Sequence, residues 1–326
     1  MSTDAPMKVH AGLDEAGYGP MLGPLTIGFS AFRREGTLDW STLPGAVSDA
    51  PGQDKERLVV ADSKKVFTRN PRGARRLEAT ALTFLHVAGN PVHCSGDLLQ
   101  SAPEGLAPDA EALAAHPWYR SLPESLPLHW EANGLTEHQE RLEASLLAAS
   151  AEVVAAGVAV IPAGTLNQSF IRTDNKGATL WSYHSRVILD LFERFGAEGL
   201  DFTCDRLGGR ARYGAALSVL VPFSTVRVLS ESRKESHYLV TSGERRMRIR
   251  FVQKGDTLSL PTALGSCFAK YARELVMGAF NDHFEAACPG VRPTAGYVTD
   301  ARRWLEDMER ALPEALADRS SLIRSR

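Results

Sequence analysis

The sequence predicts an α/β protein, a mixed sheet flanked by helices. Three observations carry this prediction: short apolar runs of strand composition near the start and again after residue 199, long stretches with helical apolar spacing between and after them, and a strand-like run that ends on Asp205. In such sheets, active groups gather at strand ends.

Taken in order, residues 8–13 read as a short strand and 25–32 as a second apolar stretch, forming a hairpin across a glycine-rich turn. Residues 72–87 have helical spacing, and 91–94 are expected to return as an edge strand. Residues 101–130 are rich in Pro, Ala, Leu and acids without clean periodicity, which suggests an insertion or a loosely helical excursion. A helix is expected over 137–156, with Leu142, Leu146, Leu147 and Val154 on a common face. Another is expected over 174–195, carrying Leu180, Val187, Ile188, Leu191 and Phe192 and ending at Gly196. Residues 199–204 become a strand ending at Asp205, and 226–229, 237–241 and 247–252 read as three more, with Ser242-Gly243 turning between the last two. Helices over 262–284 and 299–312 follow, and no internal repeat is evident.

The bulk properties narrow the class. The chain has 326 residues, 44% hydrophobic and 23% charged, with no apolar run long enough to span a bilayer, so no membrane association is expected. Residues 1–7 are short and polar with no export signal. Cys94, Cys204, Cys267 and Cys288 are scattered without CxxC spacing, which argues against a zinc site and a disulfide framework and places the protein in the cytoplasm. A net charge of −2 means that nucleic-acid contact must come from local patches. Three basic clusters offer them: Arg69, Arg72, Arg75 and Arg76; Arg206, Arg210 and Arg212; and Arg227, Arg233, Lys234, Arg245, Arg246, Arg248 and Arg250. Taken singly, a charge run of this kind is usually a solvated face.

Residues 12–24 place adjacent carboxylates, Asp14 and Glu15, at the mouth of a glycine-rich turn. Consecutive strand residues point to opposite faces, so the pair is expected to serve one site where the chain leaves the strand, with Gly17, Gly19 and Pro20 supplying the bend. Asp205 and Asp256 also fall at or near predicted strand ends. Oxygen ligands so placed suit hard cations, and two Mg²⁺ ions can clamp the attacking and leaving oxygens of a phosphodiester. No Ser-His-Asp or Cys-His arrangement, phosphate loop or metal-spaced histidine pair competes with this reading, and no histidine is given a catalytic role.

These residues resemble a known family. Asp14-Glu15-Ala16-Gly17-Tyr18-Gly19-Pro20 is similar to the Asp-Glu-x-Gly-Arg-Gly-Pro signature of the type 2 ribonucleases H (ribonuclease HII and its relatives), and Asp62-Ser63-Lys64-Lys65 matches their Asp-Ser-Lys-Lys. Asp205 falls where the family has its third acid, and Lys254-Gly255-Asp256 matches its Lys-Gly-Asp. The stretch from Ala263 to Glu274 resembles the family's following helix, and Gly296-Tyr297-Val298-Thr299 its late Gly-Tyr-x-Thr. Six matches occur in the family's order, as islands across residues 12–299.

The resemblance implies a ribonuclease H-like fold and endonucleolytic cleavage of RNA in an RNA/DNA duplex, leaving 3′-hydroxyl and 5′-phosphate ends. Carried over, Asp14, Glu15, Asp205 and Asp256 hold two Mg²⁺ or Mn²⁺ ions. Lys64 and Lys65 approach a phosphate, as Lys270 could. Backbone groups from Gly17 through Tyr18 to Gly19 approach the ribose 2′-hydroxyl, and Tyr297 stacks near the sugar. The partner implied is an RNA/DNA hybrid or ribonucleotide-containing duplex DNA, with no obligate protein partner. One ribonuclease H-like catalytic domain is expected over 1–326, with insertions at about 95–140 and 213–250 and a helical C-terminal part from about 285. The Arg-rich hairpin from 227 to 250 is expected near the site, against a duplex backbone.

The chain departs from the family at Tyr18, where Arg or Lys is usual, at Arg206, where a small residue follows the third acid, and at Glu274, where Asp is expected. Two alternatives stay open: a nucleic-acid-binding protein that kept the fold and lost catalysis, and a structure-specific DNA nuclease.

Overall fold

The structure is a computed structural model that describes residues 7–52, 56–131 and 133–325. Of residues 1–7, read above as lacking an export signal, only Met7 lies among them. The strands are β1 (Val9–Ala16), β2 (Leu25–Arg33), β3 (Val47–Ser48), β4 (Leu58–Val59), β5 (Glu152–Ile161), β6 (Leu200–Asp205), β7 (Thr225–Glu231), β8 (Glu235–Ser242) and β9 (Arg245–Val252). Seven form one mixed sheet in the order β5-β2-β1-β6-β9-β8-β7, while β3 and β4 make a separate parallel pair. The expected hairpin is present, β1 antiparallel to β2, and β1, β6 and β9 run parallel side by side. Their C-terminal ends therefore open on one edge of the sheet, as a mixed sheet flanked by helices requires.

A helix packs on each face of β1. The long helix Leu260–Ala287 begins at the N-cap Ser259, whose hydroxyl accepts from the N–H of Thr262, with Pro261 in its first turn. Its close approach is set by glycine: a Cβ on Gly12 would stand 2.1 Å from the Thr262 nitrogen, and one on Gly28 2.0 Å from the Gly265 oxygen. Small polar strand residues tie the contact, with Thr26 Oγ1 donating to Ala269 O at 2.8 Å and Ser30 Oγ to Pro261 O at 2.9 Å. The helix Lys176–Phe195 covers the other face with Leu180, Val187, Ile188, Leu191 and Phe192, all buried.

The segment around Trp118 docks beside the long helix, the Trp118 ring lying 5.3 Å from that of Phe280. Glu78, fully buried on the helix Pro71–Val87, accepts from the N–H groups of Leu128 and His129 at 2.8 and 2.6 Å and from the Tyr271 hydroxyl at 3.0 Å. Satisfying the carboxylate three times makes its burial tolerable.

Four sequence expectations are corrected. The helix expected over 137–156 stops at Ala148; Ser150 turns the chain at positive φ, and Glu152–Ile161 is strand β5, the edge strand of the sheet beside β2, with Ser101 and Asn90 bonded along its outer side. Its run of Val and Ala is buried on both faces and so shows no alternation to betray a strand. Leu147 is accordingly 82% exposed and Val154 belongs to the strand, so neither shares the buried helix face of Leu142 and Leu146. Residues 91–94 are loop, because Asp97 draws the N–H groups of His93 and Cys94 into a helix cap over Ser95–Gln100. Strand β1 runs on through Asp14 and Glu15 to Ala16, paired with Gly28, Ile27 and Thr26. The turn between β8 and β9 lies one residue later than expected, between the paired Ser242 and Arg245, with Gly243 at φ 58°. The helix Ala163–Thr173 was not foreseen.

Candidate active site

Because β1 continues through both acids, Asp14 and Glu15 do diverge. Asp14 shares its face with Gly12, toward the long helix, and its Oδ1 accepts the N–H of Glu15 at 2.8 Å. Glu15 points to the other face, where its Oε2 lies 3.2 Å from His184 Nε2 on the helix Lys176–Phe195. They meet one site because both stand at the open end of β1, next to the end of β6. There Asp205 accepts from the N–H of Gly255 at 2.8 Å. Lys254 adopts the left-handed conformation, φ 60°, which turns the chain out of β9 and into the short 3-10 turn Gly255–Thr257 that carries Asp256.

Electrostatics records how closely the acids are gathered. Burial, then the charges of Glu15, Asp205 and Asp256, hold the Asp14 carboxyl well above the usual carboxylate range. Burial raises Asp205 to about 6, with Glu15 and Asp256 adding to the shift while the Gly255 N–H opposes it. Asp256 is raised by burial and then by Asp62, against the lowering effect of Lys64 and Lys65. Asp62 caps the one-turn helix Ser63–Val66 through the N–H of Lys64. The second sequence motif thus stands beside the fourth acid, and Asp62, within that motif, is a further acid at the site.

The glycine turn is held from below by two buried arginines. Arg273, on the long helix, donates to the carbonyls of Pro24, Leu22 and Ala295. Arg324 donates to the carbonyls of Gly17 and Gly23. Gly17 needs its positive φ of 89°, and a Cβ there would stand 2.6 Å from Pro24 O. Tyr18 leaves the turn toward β6: its ring lies under Lys176 Nζ at 4.6 Å, and a Cβ on Gly208 would stand 3.0 Å from its hydroxyl. Gly19 is exposed. Tyr297 is half exposed and follows Gly296, whose carbonyl accepts from the N–H groups of Met21 and Leu22 in the same turn. Lys64 and Lys65 are exposed beside Asp256, whereas Lys270 pairs with Glu274 on its own helix and lies 4.7 Å over the Phe67 ring.

The structure thus brings the four acids, Lys64 and Lys65 to one end of the sheet and the glycine turn and Tyr297 alongside it. Lys270 is engaged locally. His184, given no role from sequence, is the residue most clearly missed; the one signal was its place among Leu180, Val187 and Leu191 on the buried helix face.

The donors are chemically suited to a hard divalent cation: carboxylate oxygens, mutually repelling, and tied to no Lys or Arg by an ion pair among the described residues. They are not gathered into a finished cage. No group of three or more His, Cys, Asp or Glu among the described residues is arranged to hold a metal ion. Asp14, Glu15 and Asp205 are each turned onto a protein partner, and an ion drawing them together would share or break those contacts.

No family model and no curated protein matches the chain. Among solved structures it is similar to ribonuclease HII of Archaeoglobus fulgidus, determined in complex with PCNA, at 14% identity and TM-score 0.43, covering 98% of this chain and 94% of that one. It is also similar to ribonuclease H2 of Pyrococcus horikoshii OT3, at 12% identity and TM-score 0.39, with 93% and 87% covered. A third is RNase H3 of Aquifex aeolicus, at 12% identity and TM-score 0.39, with 97% and 71% covered. At this level of superposition the likenesses carry no inference about chemistry. What the sheet establishes is a mixed α/β fold with its acids at parallel strand ends.

Proposed function

We propose that this chain is a divergent type 2 ribonuclease H, an endonuclease that hydrolyses the RNA strand of RNA/DNA hybrids or ribonucleotides embedded in duplex DNA. The observation that carries this reading is the convergence of Asp14, Glu15, Asp205 and Asp256, from three separate parts of the sequence, at one end of β1, β6 and β9. Asp14, Glu15, Asp205 and Asp256 would hold two Mg²⁺ or Mn²⁺ ions, which supply charge neutralisation to the attacking and leaving oxygens. Water adds to phosphorus and the P–O3′ bond breaks, leaving a 3′-hydroxyl and a 5′-phosphate. Lys64 and Lys65 bind a backbone phosphate, and the Gly17–Gly19 backbone, held in shape by Arg273 and Arg324, meets the ribose 2′-hydroxyl with Tyr297 beside it. Lys270 supports this surface through Phe67 and Glu274 and meets phosphate only by giving up that pair.

In this reading residues 95–140 and 213–250 are insertions in one catalytic domain, and the protein works in the cytoplasm without an obligate protein partner. All four cysteines are free and, among the described residues, no helix is long and apolar enough to cross a membrane. A nucleic-acid-binding role without catalysis is the second reading, favoured by the acids being turned onto protein partners.

Matched duplexes carrying an all-RNA strand, one ribonucleotide or none, incubated with Mg²⁺ and then Mn²⁺, test the proposal. Cleavage confined to the ribonucleotide-containing strands is expected. Equal cleavage of all-DNA duplex would make it a DNA nuclease, and no cleavage of any would leave the binding protein.

A further inference from the structure

The edge of the sheet beyond β6 has two unlike faces. On one, Tyr238, Val240, Met247, Ile249 and Phe251 are fully buried in the core. On the other, alternate residues form rows fixed by strand register. Arg227, Leu239, Arg248 and Asp201 make one row; His237, Arg250 and Thr203 the next; Glu235, Val252 and Asp205 the last, at the acidic site. The long helix covers this side of the sheet chiefly over β1, β2 and β5, so the rows on β8 and β9 lie beyond it. Beside them opens a cavity of about 400 Å³ whose lining includes Arg248, Arg250, Thr203, Asp201, His10 and Ser259.

We infer that this face is a phosphodiester-binding site built on Arg248 and Arg250. Arg250 uses one arm of its guanidinium, Nη2, to donate to Thr203 Oγ1 at 3.0 Å, which fixes it over β6. Its Nε–H is buried and has no partner. A guanidinium nitrogen can only donate, so with Nη2 on Thr203 and Nε–H enclosed, Arg250 is left to offer Nη1 to an acceptor such as a phosphate oxygen, beside the exposed Arg248 that lines the same cavity. Arg248 is exposed one row further, beside a solvent-facing Arg227, and the stems of both flank the buried Leu239. A two-residue step along a strand is roughly 7 Å, so Arg250 and Arg248 stand about one and two such steps from the Asp205 row. A backbone whose scissile phosphate lies at the acids would meet the two arginines in turn. Asp201 is the one acid within these two rows, with His10 Nδ1 3.9 Å from its Oδ2 and its Oδ1 unpartnered; it opposes the anion and limits the affinity.

The inference rests on the proposed function for its choice of nucleic acid, and binding rather than cleavage tests it. Anisotropy of a labelled RNA/DNA hybrid is measured on the full chain carrying Asp14→Asn, across a salt series. Arg248→Ala and Arg250→Ala are each expected to weaken binding about three- to tenfold and to lower the salt slope by about one. Asp201→Asn is expected to tighten it, an outcome a merely structural role would not give. Arg248 is exposed, so its variant tests the site even if Arg250→Ala fails to fold. Unchanged affinity and slope in Arg248→Ala would overturn the inference. So would calorimetry in which inorganic phosphate binds with the same arginine dependence while the hybrid's affinity does not move, since the site would then serve a free anion. Cleavage by the unmodified chain is scored separately: loss of the nuclease reading leaves the arginine dependence standing, and the reverse.

Discussion

His184 Nε2 lies 3.2 Å from Glu15 Oε2, while the Nδ1 of the same ring lies 2.9 Å from the carbonyl of Leu180. A carbonyl only accepts, so Nδ1 is placed to donate to Leu180, which turns Nε2 toward the Glu15 carboxyl, and the ring fixes where Glu15 points. His184→Leu should leave Glu15 without this partner at a buried position. Expected are a fall in turnover of about tenfold or more and a higher divalent-ion requirement, with His184→Gln recovering part of the loss. Steady-state kinetics across a Mn²⁺ series reads both.

Asp205, raised to about 6 from an ordinary 3.8, makes the metal-free protein sensitive to pH. A carboxyl whose folded pKa is raised favours the folded state while protonated. Its contribution is full below about pH 4 and is lost as pH rises through about 6. Denaturant unfolding in chelator should show stability falling across that window. Asp205→Asn should lessen the fall, the rest belonging to Asp14 and Asp256, and raise metal-free stability at pH 7, on the order of 1–3 kcal/mol, while abolishing activity. An unaltered pH profile in the variant would place the titration elsewhere.

Arg324 binds the turn from the far end of the sequence, its guanidinium shared between Gly17 O and Gly23 O and nearly excluded from solvent. Burial and the neighbouring Arg273 lower its pKa well below the usual arginine value, so the carbonyl contacts must offset the cost of keeping the charge inside. Arg324→Ala removes charge-assisted hydrogen bonds worth roughly 1.5–3 kcal/mol each and frees the turn. A raised KM for hybrid and weaker preference for ribonucleotide over deoxyribonucleotide strands are expected, measured on matched duplexes. An effect on stability alone would confine Arg324 to the fold.

Much of the sheet was legible in the sequence. Strands β6 and β8 end on Asp205 and Ser242, β9 stops at Val252 just before the polar Gln253-Lys254, and the acids stand where apolar runs stop. Strand β5 was not, because a run buried on both faces loses the period-two signal and continues the apolar pattern of the helix before it. Within the site the carboxylates could be read because their chemistry is local to short motifs. His184, Asp62 and Arg324 could not: each matters through a contact made across the fold, 169 residues from Glu15 to His184 and 307 from Gly17 to Arg324. The expectation that Asp14 and Glu15 share a site only beyond the strand end also gave way. They diverge within β1, and it is the neighbouring ends of β6 and β9 that surround them.

The central claim is that Asp14, Glu15, Asp205 and Asp256 act together as one divalent-ion centre. Calorimetric titration of Mn²⁺ into the metal-free chain, repeated with Asp14→Asn and Asp256→Asn, tests it most directly. Saturable binding in the unmodified protein, lost or weakened at least tenfold in both variants while their folded spectra are kept, is the predicted result. Absence of binding in the unmodified chain, or equal binding in all three proteins, would contradict it.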